Sequence, residues 1–312
     1  MTTFSKSRTA DLALCASITL TLSLSAACGG SAATEADEPS PNTPDEIVVT
    51  KVTGATFVQP ESVRWDDEAE VWYVTNMGEP LGEPNQPGWL TRLDASGAVL
   101  DDRWVEGLSS PTGMAILERR LYVADGQQLV VVDIAAAEIV DTIAFPDAGF
   151  INDVTATDDA IYVSDSLGNA IYRVVPGQAP EMIIQDTGLG IPNGILVRGA
   201  QIIVAGFGPF PQDDPELTQP GPMSTIAIDS GERSRLGSLE GKLDGLEADG
   251  EDLLVTDIRG QLIRLTPDGE HEVVIDLSDD LQSAADHGFD PDSRTVMIPD
   301  LFNNQVAFFQ IR

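Results

Sequence analysis

Six short segments of the chain can be laid over one another: PESVRW at 60, PTGMAI at 111, INDVTA at 151, PNGILV at 192, LDGLEA at 243 and ADHGF at 285. The overlay puts one oxygen-bearing side chain of each in a common slot: Glu61, Thr112, Asn152, Asn193, Asp244 and Asp286. Carboxylates and amides that converge away from water need partners, and these six include no Lys or Arg to offset their repulsion. A bound cation relieves it. Oxygen donors without Cys or His suit Ca²⁺ or another hard divalent ion. The competing reading is that each residue caps its own turn, since Asn, Asp and Gly are common turn formers. That explains Gly194 after Asn193 and Gly245 after Asp244, but less well a slot that is never apolar.

Other chemistries fare worse. The chain has two histidines, His271 and His287, too few for a zinc site built from several imidazoles. His287 follows Asp286, so the slot pattern puts it at the same rim, within reach of a ligand. There is no G-x-S-x-G elbow and no Walker motif, and GLGIPNG at 188–194 has the wrong spacing for a dinucleotide fingerprint.

The elements that must position these residues repeat with them. Ten to fourteen residues after each start comes a strand-like run: VWYVTN, LYVADG, IYVSDS, IIVAGF, LLVTDI, VMIPDL. A third alternating run follows, as in LVVVDI, AIYRVV and QVAFFQI. Period-two alternation rich in Val, Ile, Leu and Tyr predicts strands. Four short strands in units of 40 to 50 residues are the signature of propeller blades. The expectation is all-β, a six-bladed β-propeller over 46–312. The last unit lacks a fourth strand, and EIVVTKV at 46–52 is placed to supply it, closing the ring and hiding two sheet edges. The starts of the inner strands then lie near one end of the central channel.

The second strands end in Asn76, Asp125, Asp165, Gly206, Asp257 and Asp300, expected to begin turns and given no site role. Two Pro- and Gly-rich insertions, 76–89 and 206–223, follow the second strand in blades one and four. They bring Trp89, Phe207 and Phe210, and are lids, pocket walls or tolerated surface loops.

Ahead of the repeat, residues 1–27 look like an export signal: Lys6 and Arg8, an apolar run from Leu12 to Leu24, then Ser25, Ala26 and Ala27. Cys28 directly after them resembles a bacterial lipobox, which implies diacylation of Cys28 and anchoring to the cell envelope. Residues 28–45 are the lipidated Cys and an acidic, Pro-containing spacer with no apolar periodicity. The only other cysteine is Cys15 in the leader, so the propeller has no intrachain disulfide. A net charge of −34, from 51 acidic and 17 basic residues, argues against nucleic acid as a partner and for a strongly solvated surface. The expected partners are a small-molecule ligand or substrate and the membrane, with the chain a monomer.

PESVRW, FINDV, PNGI and LDGLEADG resemble segments of the regucalcin/gluconolactonase propellers, and the likeness runs through essentially all of 46–312. The resemblance implies a divalent ion held by Glu61, Asn193 and Asp244, with Asn152 facing water or substrate and Asp244 also acting as general base. Thr112, Asp286, His287 and Phe150 then line the rim. Sugar-lactone enzymes of that family carry an Arg just before the Asn matched by Asn152. Here Phe150 and Ile151 stand there, which argues against a sugar lactone. Two functions are therefore expected: an extracytoplasmic divalent-metal-dependent hydrolase of a lactone or similar ester, or a non-catalytic propeller that binds a small ligand or protein at the same rim.

Overall fold

The computed structural model describes residues 47–78, 87–208 and 219–312. The leader, Cys28 and the whole spacer therefore lie outside the described residues, as do the tips of both insertions. The described residues form one compact unit within Glu46–Arg312. It holds six four-stranded antiparallel sheets. Blade 1 begins with the inner strand Pro60–Asp66, blade 2 with Pro111–Leu117, blade 3 with Ile151–Ala156, blade 4 with Pro192–Arg198, blade 5 with Leu243–Asp249 and blade 6 with Gly288–Asp290. Within each of blades 1 to 5 the chain meanders outward through three more strands. Inner strands touch those of both neighbouring blades, so the ring closes around a central channel.

Each blade buries both faces against its neighbours. Six apolar clusters result, one for each blade-to-blade interface. This is why second strands such as VWYVTN are buried at every position rather than alternating in and out of water. Fourth strands face solvent and are mostly exposed, as in Glu138–Ala144.

Blade 6 takes its outer strand from the start of the chain, as expected. The strand is shorter than 46–52: Thr50 and Lys51 pair with Phe308 and Ala307, and the Val52 N–H donates to the Val306 carbonyl at 2.8 Å. A second seam closes the ring from inside. Ser62 and Asp286 form a parallel bridge, with Asp286 N–H donating to Glu61 O and Val63 N–H to Asp286 O, each at 3.0 Å. Among the described residues no helix is long and apolar enough to cross a membrane; the single helical element is a 3₁₀ turn at Thr187–Leu189.

Candidate active site

A β-bulge in every one of the first five inner strands shapes the channel mouth. In blade 1, Pro60 pairs with Asn76 and Val63 with Val74, so three inner-strand steps face two on the neighbour. The same break follows Pro111, Ile151, Pro192 and Leu243. A bulge locally suspends the in-out alternation, so two consecutive side chains can turn toward the channel.

The first position after the break of register holds Glu61, Thr112, Asn152, Asn193 and Asp244. In blade 6 that position is Ala285, not Asp286. Gly288 pairs with Met297, and Ser283 N–H donates to the Asp300 carboxylate as Ser110 N–H does to Asp125, which sets the register one residue off the sequence overlay. The common slot is therefore apolar in one blade. Asp286 shares the next position with Ser62, Gly113, Asp153, Gly194 and Gly245. The two aspartates of this tier sit opposite each other, in blades 3 and 6, each beside a glycine of the preceding blade. A Cβ at Gly113 would run into the Asp153 carboxylate, with the Asp153 Cα at 2.6 Å. One at Gly245 would lie 2.6 Å from the Asp286 Oδ1.

Two carboxylates of the first tier each have one oxygen without a partner among the described residues. Glu61 Oε2 and Asp244 Oδ1 are buried and accept no hydrogen bond from the described residues. Burial raises the Glu61 carboxyl well above its ordinary value, and the charges of Asp244, Asp286 and Asp153 raise it further. Asp244 is raised well above its ordinary value by burial, then by Asp286 and Asp257, against a hydrogen bond from Asn193. Asn193, at 6% exposure, thus joins the same pair. Asn152 is half-buried; its amide donates to Ser166 Oγ at 3.1 Å, and Ser166 donates to Pro192 O at 2.7 Å. The Thr112 hydroxyl donates to Asn152 O at 2.7 Å, tying blade 2 to blade 3.

The second tier staples blades together. Asp153 accepts from Val154 N–H at 2.7 Å and, across the interface, from Ile195 N–H at 2.8 Å. Burial raises its carboxyl well above the ordinary value, with the charge of Asp286 adding to the rise and Arg64 opposing it. Asp286 accepts from the Ser62 hydroxyl at 2.5 Å. Burial pushes its carboxyl up to about 6, while Arg64 and Ser62 pull it down. Deeper still, Arg64 donates through Nε to Met114 O at 2.9 Å and through Nη1 to Glu247 Oε1 at 2.6 Å. The six slot residues include no cation, but one lies beyond them on the inner strand of blade 1: Arg64 faces Glu247, Asp286 and Asp153. Asp153, Arg64 and Glu247 were all missed as site residues. Strict alternation gave no reason to turn the Asp of INDV or the Arg of PESVRW inward once a bulge intervenes.

His287 is not at the rim. It occupies the position that Val63, Met114, Val154, Ile195 and Leu246 hold in the other blades, inside the interblade packing, and is fully buried. Neither ring nitrogen has a hydrogen-bond partner among the described residues, and burial together with Arg64 lowers its pKa to about 3, so the ring is neutral. Phe150 does stand at the mouth. With Ile258 it packs on Met77, Ala285 and Leu301, an apolar cluster drawn from blades 1, 3, 5 and 6. The second-strand termini tie loops. Asp125 accepts from Ser109 and Ser110 N–H, Asp165 from Gly149 and Phe150, and Asp300 from Gln282 and Ser283. Of the insertions, Trp89 is buried in a blade 1 strand, while Phe210 lies outside the described residues.

No family model matches the chain, and no curated protein matches it either. Solved structures do. A gluconolactonase from Xanthomonas campestris superposes with a TM-score of 0.65 at 16% identity, over 86% of this chain and 91% of its own. A luciferin-regenerating enzyme gives 0.60 at 12%, over 85% and 95%. A streptogramin B lyase gives 0.54 at 12%, over 85% and 98%. At such identities the likeness is one of fold.

Proposed function

We propose that this chain is an extracytoplasmic hydrolase of a lactone or similar ester that depends on a divalent ion, Ca²⁺ first, held by Glu61, Asn193 and Asp244. The observation that carries the reading is the pair of buried, unpartnered oxygens, Glu61 Oε2 and Asp244 Oδ1, on mutually repelling carboxyls at one channel mouth. Leaving buried acceptors unmade costs about 1–3 kcal/mol each, more when they are charged. A cation would offset that cost, and an all-oxygen donor set fits a hard one.

When bound, the ion would polarise a substrate carbonyl and stabilise charge developing on its oxygen. The protein's own groups do the rest. Asp244 would take the proton of an attacking water. Asn152, its amide anchored by Ser166, orients water or substrate. Phe150, Met77, Ile258, Leu301 and Ala285 give the mouth an apolar wall that excludes bulk water and favours a less polar acyl portion. The likeness to a gluconolactonase supports the lactone class, and Phe150-Ile151 in place of an Arg argues against heavily hydroxylated substrates. The lipobox supports anchoring through lipidated Cys28, with the propeller outside the cytoplasm.

The test is hydrolysis of aliphatic and sugar lactones and simple esters, with Ca²⁺, by wild type and Asp244→Ala. Aliphatic lactones should be hydrolysed fastest, and the variant should lose about 10²–10⁴-fold in rate, as removal of a general base does. A wild type no faster than the variant on every compound would replace this reading with a binding protein that uses the same rim.

A further inference from the structure

The two carboxylates with an unpartnered oxygen stand on the inner strands of blades 1 and 5, which are not neighbours: blade 6 lies between them, and its inner strand is only Gly288–Asp290. The backbone link between them runs only through residues 284–286 of blade 6, which bond to blade 5 at Ile258 O and Thr256 Oγ1 and to blade 1 at Glu61 O. Three residues further along each strand lie Arg64 and Glu247. These two meet across the channel, Arg64 Nη1 to Glu247 Oε1 at 2.6 Å, with side chains only 21% and 13% exposed. Arg64 is braced on its other edge by the Met114 carbonyl of blade 2 at 2.9 Å.

We propose that Arg64 and Glu247 are positioning residues, a strut that sets the spacing of Glu61 and Asp244 and so the affinity and size selectivity of the cation site. The proposal rests on the metal reading above. Its physical content is simple. Like-charged carboxyls on two strands repel each other, and an ion pair three residues further along the same strands, held on three blades, resists their separation. Ca²⁺ tolerates long, irregular oxygen coordination whereas Mg²⁺ needs short, near-octahedral contacts, so a fixed opening discriminates between them. Outer groups that orient metal ligands commonly change affinity by about 10–100-fold when lost.

The charge-neutral double substitution Arg64→Met with Glu247→Leu separates positioning from electrostatics. It removes one basic and one acidic side chain together, which keeps the change in formal charge of the channel smaller than either single substitution would. Replacing a buried ion pair by apolar groups of similar size is often neutral or stabilising for the fold. The expected result, by calorimetric titration of the full propeller, is a melting temperature without ion near that of wild type, Ca²⁺ affinity lower by about tenfold or more, and a narrower preference for Ca²⁺ over Mg²⁺. Arg64→Lys keeps the charge but not the braced fork, and should fall between; it carries the test if the double variant does not fold. Unchanged Ca²⁺ affinity and selectivity in a folded variant would overturn the strut while leaving the metal site standing. Failure of the wild type to bind any divalent ion would instead remove the metal reading itself.

Discussion

Asp286 offers a way to weigh the cost of the acidic channel. Its carboxyl is 4% exposed and faces the charges of the other channel acids; in the folded chain it is raised from 3.8 to about 6 by burial, less the opposing pull of Arg64 and Ser62. An unfolded chain ionises this group near 3.8. Between those values the folded state holds a proton that the unfolded state has lost, so stability falls as pH rises through the window and the loss is complete above about 6. At about 1.4 kcal/mol for each pH unit of displacement, the cost at neutral pH is about 3 kcal/mol. Asp286→Asn keeps the shape and an acceptor for Ser62 but cannot ionise. Urea denaturation in chelator should therefore find the two proteins of similar stability near pH 3.5, with the variant more stable by about 3 kcal/mol at pH 8. Added Ca²⁺ should narrow the gap at pH 8, because a nearby cation favours the charged form. A gap that stays constant from pH 3.5 to 8 would refute the reasoning, since it would mean that Asp286 titrates alike in both states.

Two further outcomes follow from single contacts. Gly113→Ala forces a methyl into the Asp153 carboxylate and backbone of the next blade, so it should lower stability by about 1–3 kcal/mol in the same denaturation assay; Gly126→Ala is no clean control, because Gly126 has a positive φ of 72°, whereas a surface change such as Glu138→Gln should shift nothing by more than about 0.5 kcal/mol. Cys28→Ser should abolish lipid labelling and release the protein from the membrane fraction with its melting temperature unchanged, and continued anchoring would sink the lipobox.

Much of this architecture was legible because a propeller blade must bury both of its faces: runs such as VWYVTN and LYVADG, recurring after PESVRW and PTGMAI, have no other economical home. The same repetition revealed the slot of Glu61, Asn193 and Asp244. Three things were hidden. The bulge is a backbone event with no residue signature, so Asp153 beside Asn152, and Arg64 beyond Ser62, gave no sign of facing the channel. The start of blade 6, ADHGF, has neither the Pro nor the Asn-Gly or Asp-Gly that punctuates other blades, which allowed its register to slip by one. That slip put Asp286 where Ala285 stands and His287 at a rim it does not reach. The ion pair between Arg64 and Glu247 joins residues 183 apart in sequence, a juxtaposition that only ring closure creates.

The central claim is that Glu61, Asn193 and Asp244 hold a divalent ion, and direct titration of metal-free protein with Ca²⁺ tests it most simply. The expected result is one ion per chain, protons released on binding at any pH where the raised carboxyls still hold them, a rise in melting temperature with Ca²⁺ concentration, and markedly weaker binding by Asp244→Asn. No heat of binding, and melting curves unmoved by saturating Ca²⁺, Mg²⁺, Mn²⁺ or Zn²⁺, would contradict it and leave the ring of side chains as formers of turns.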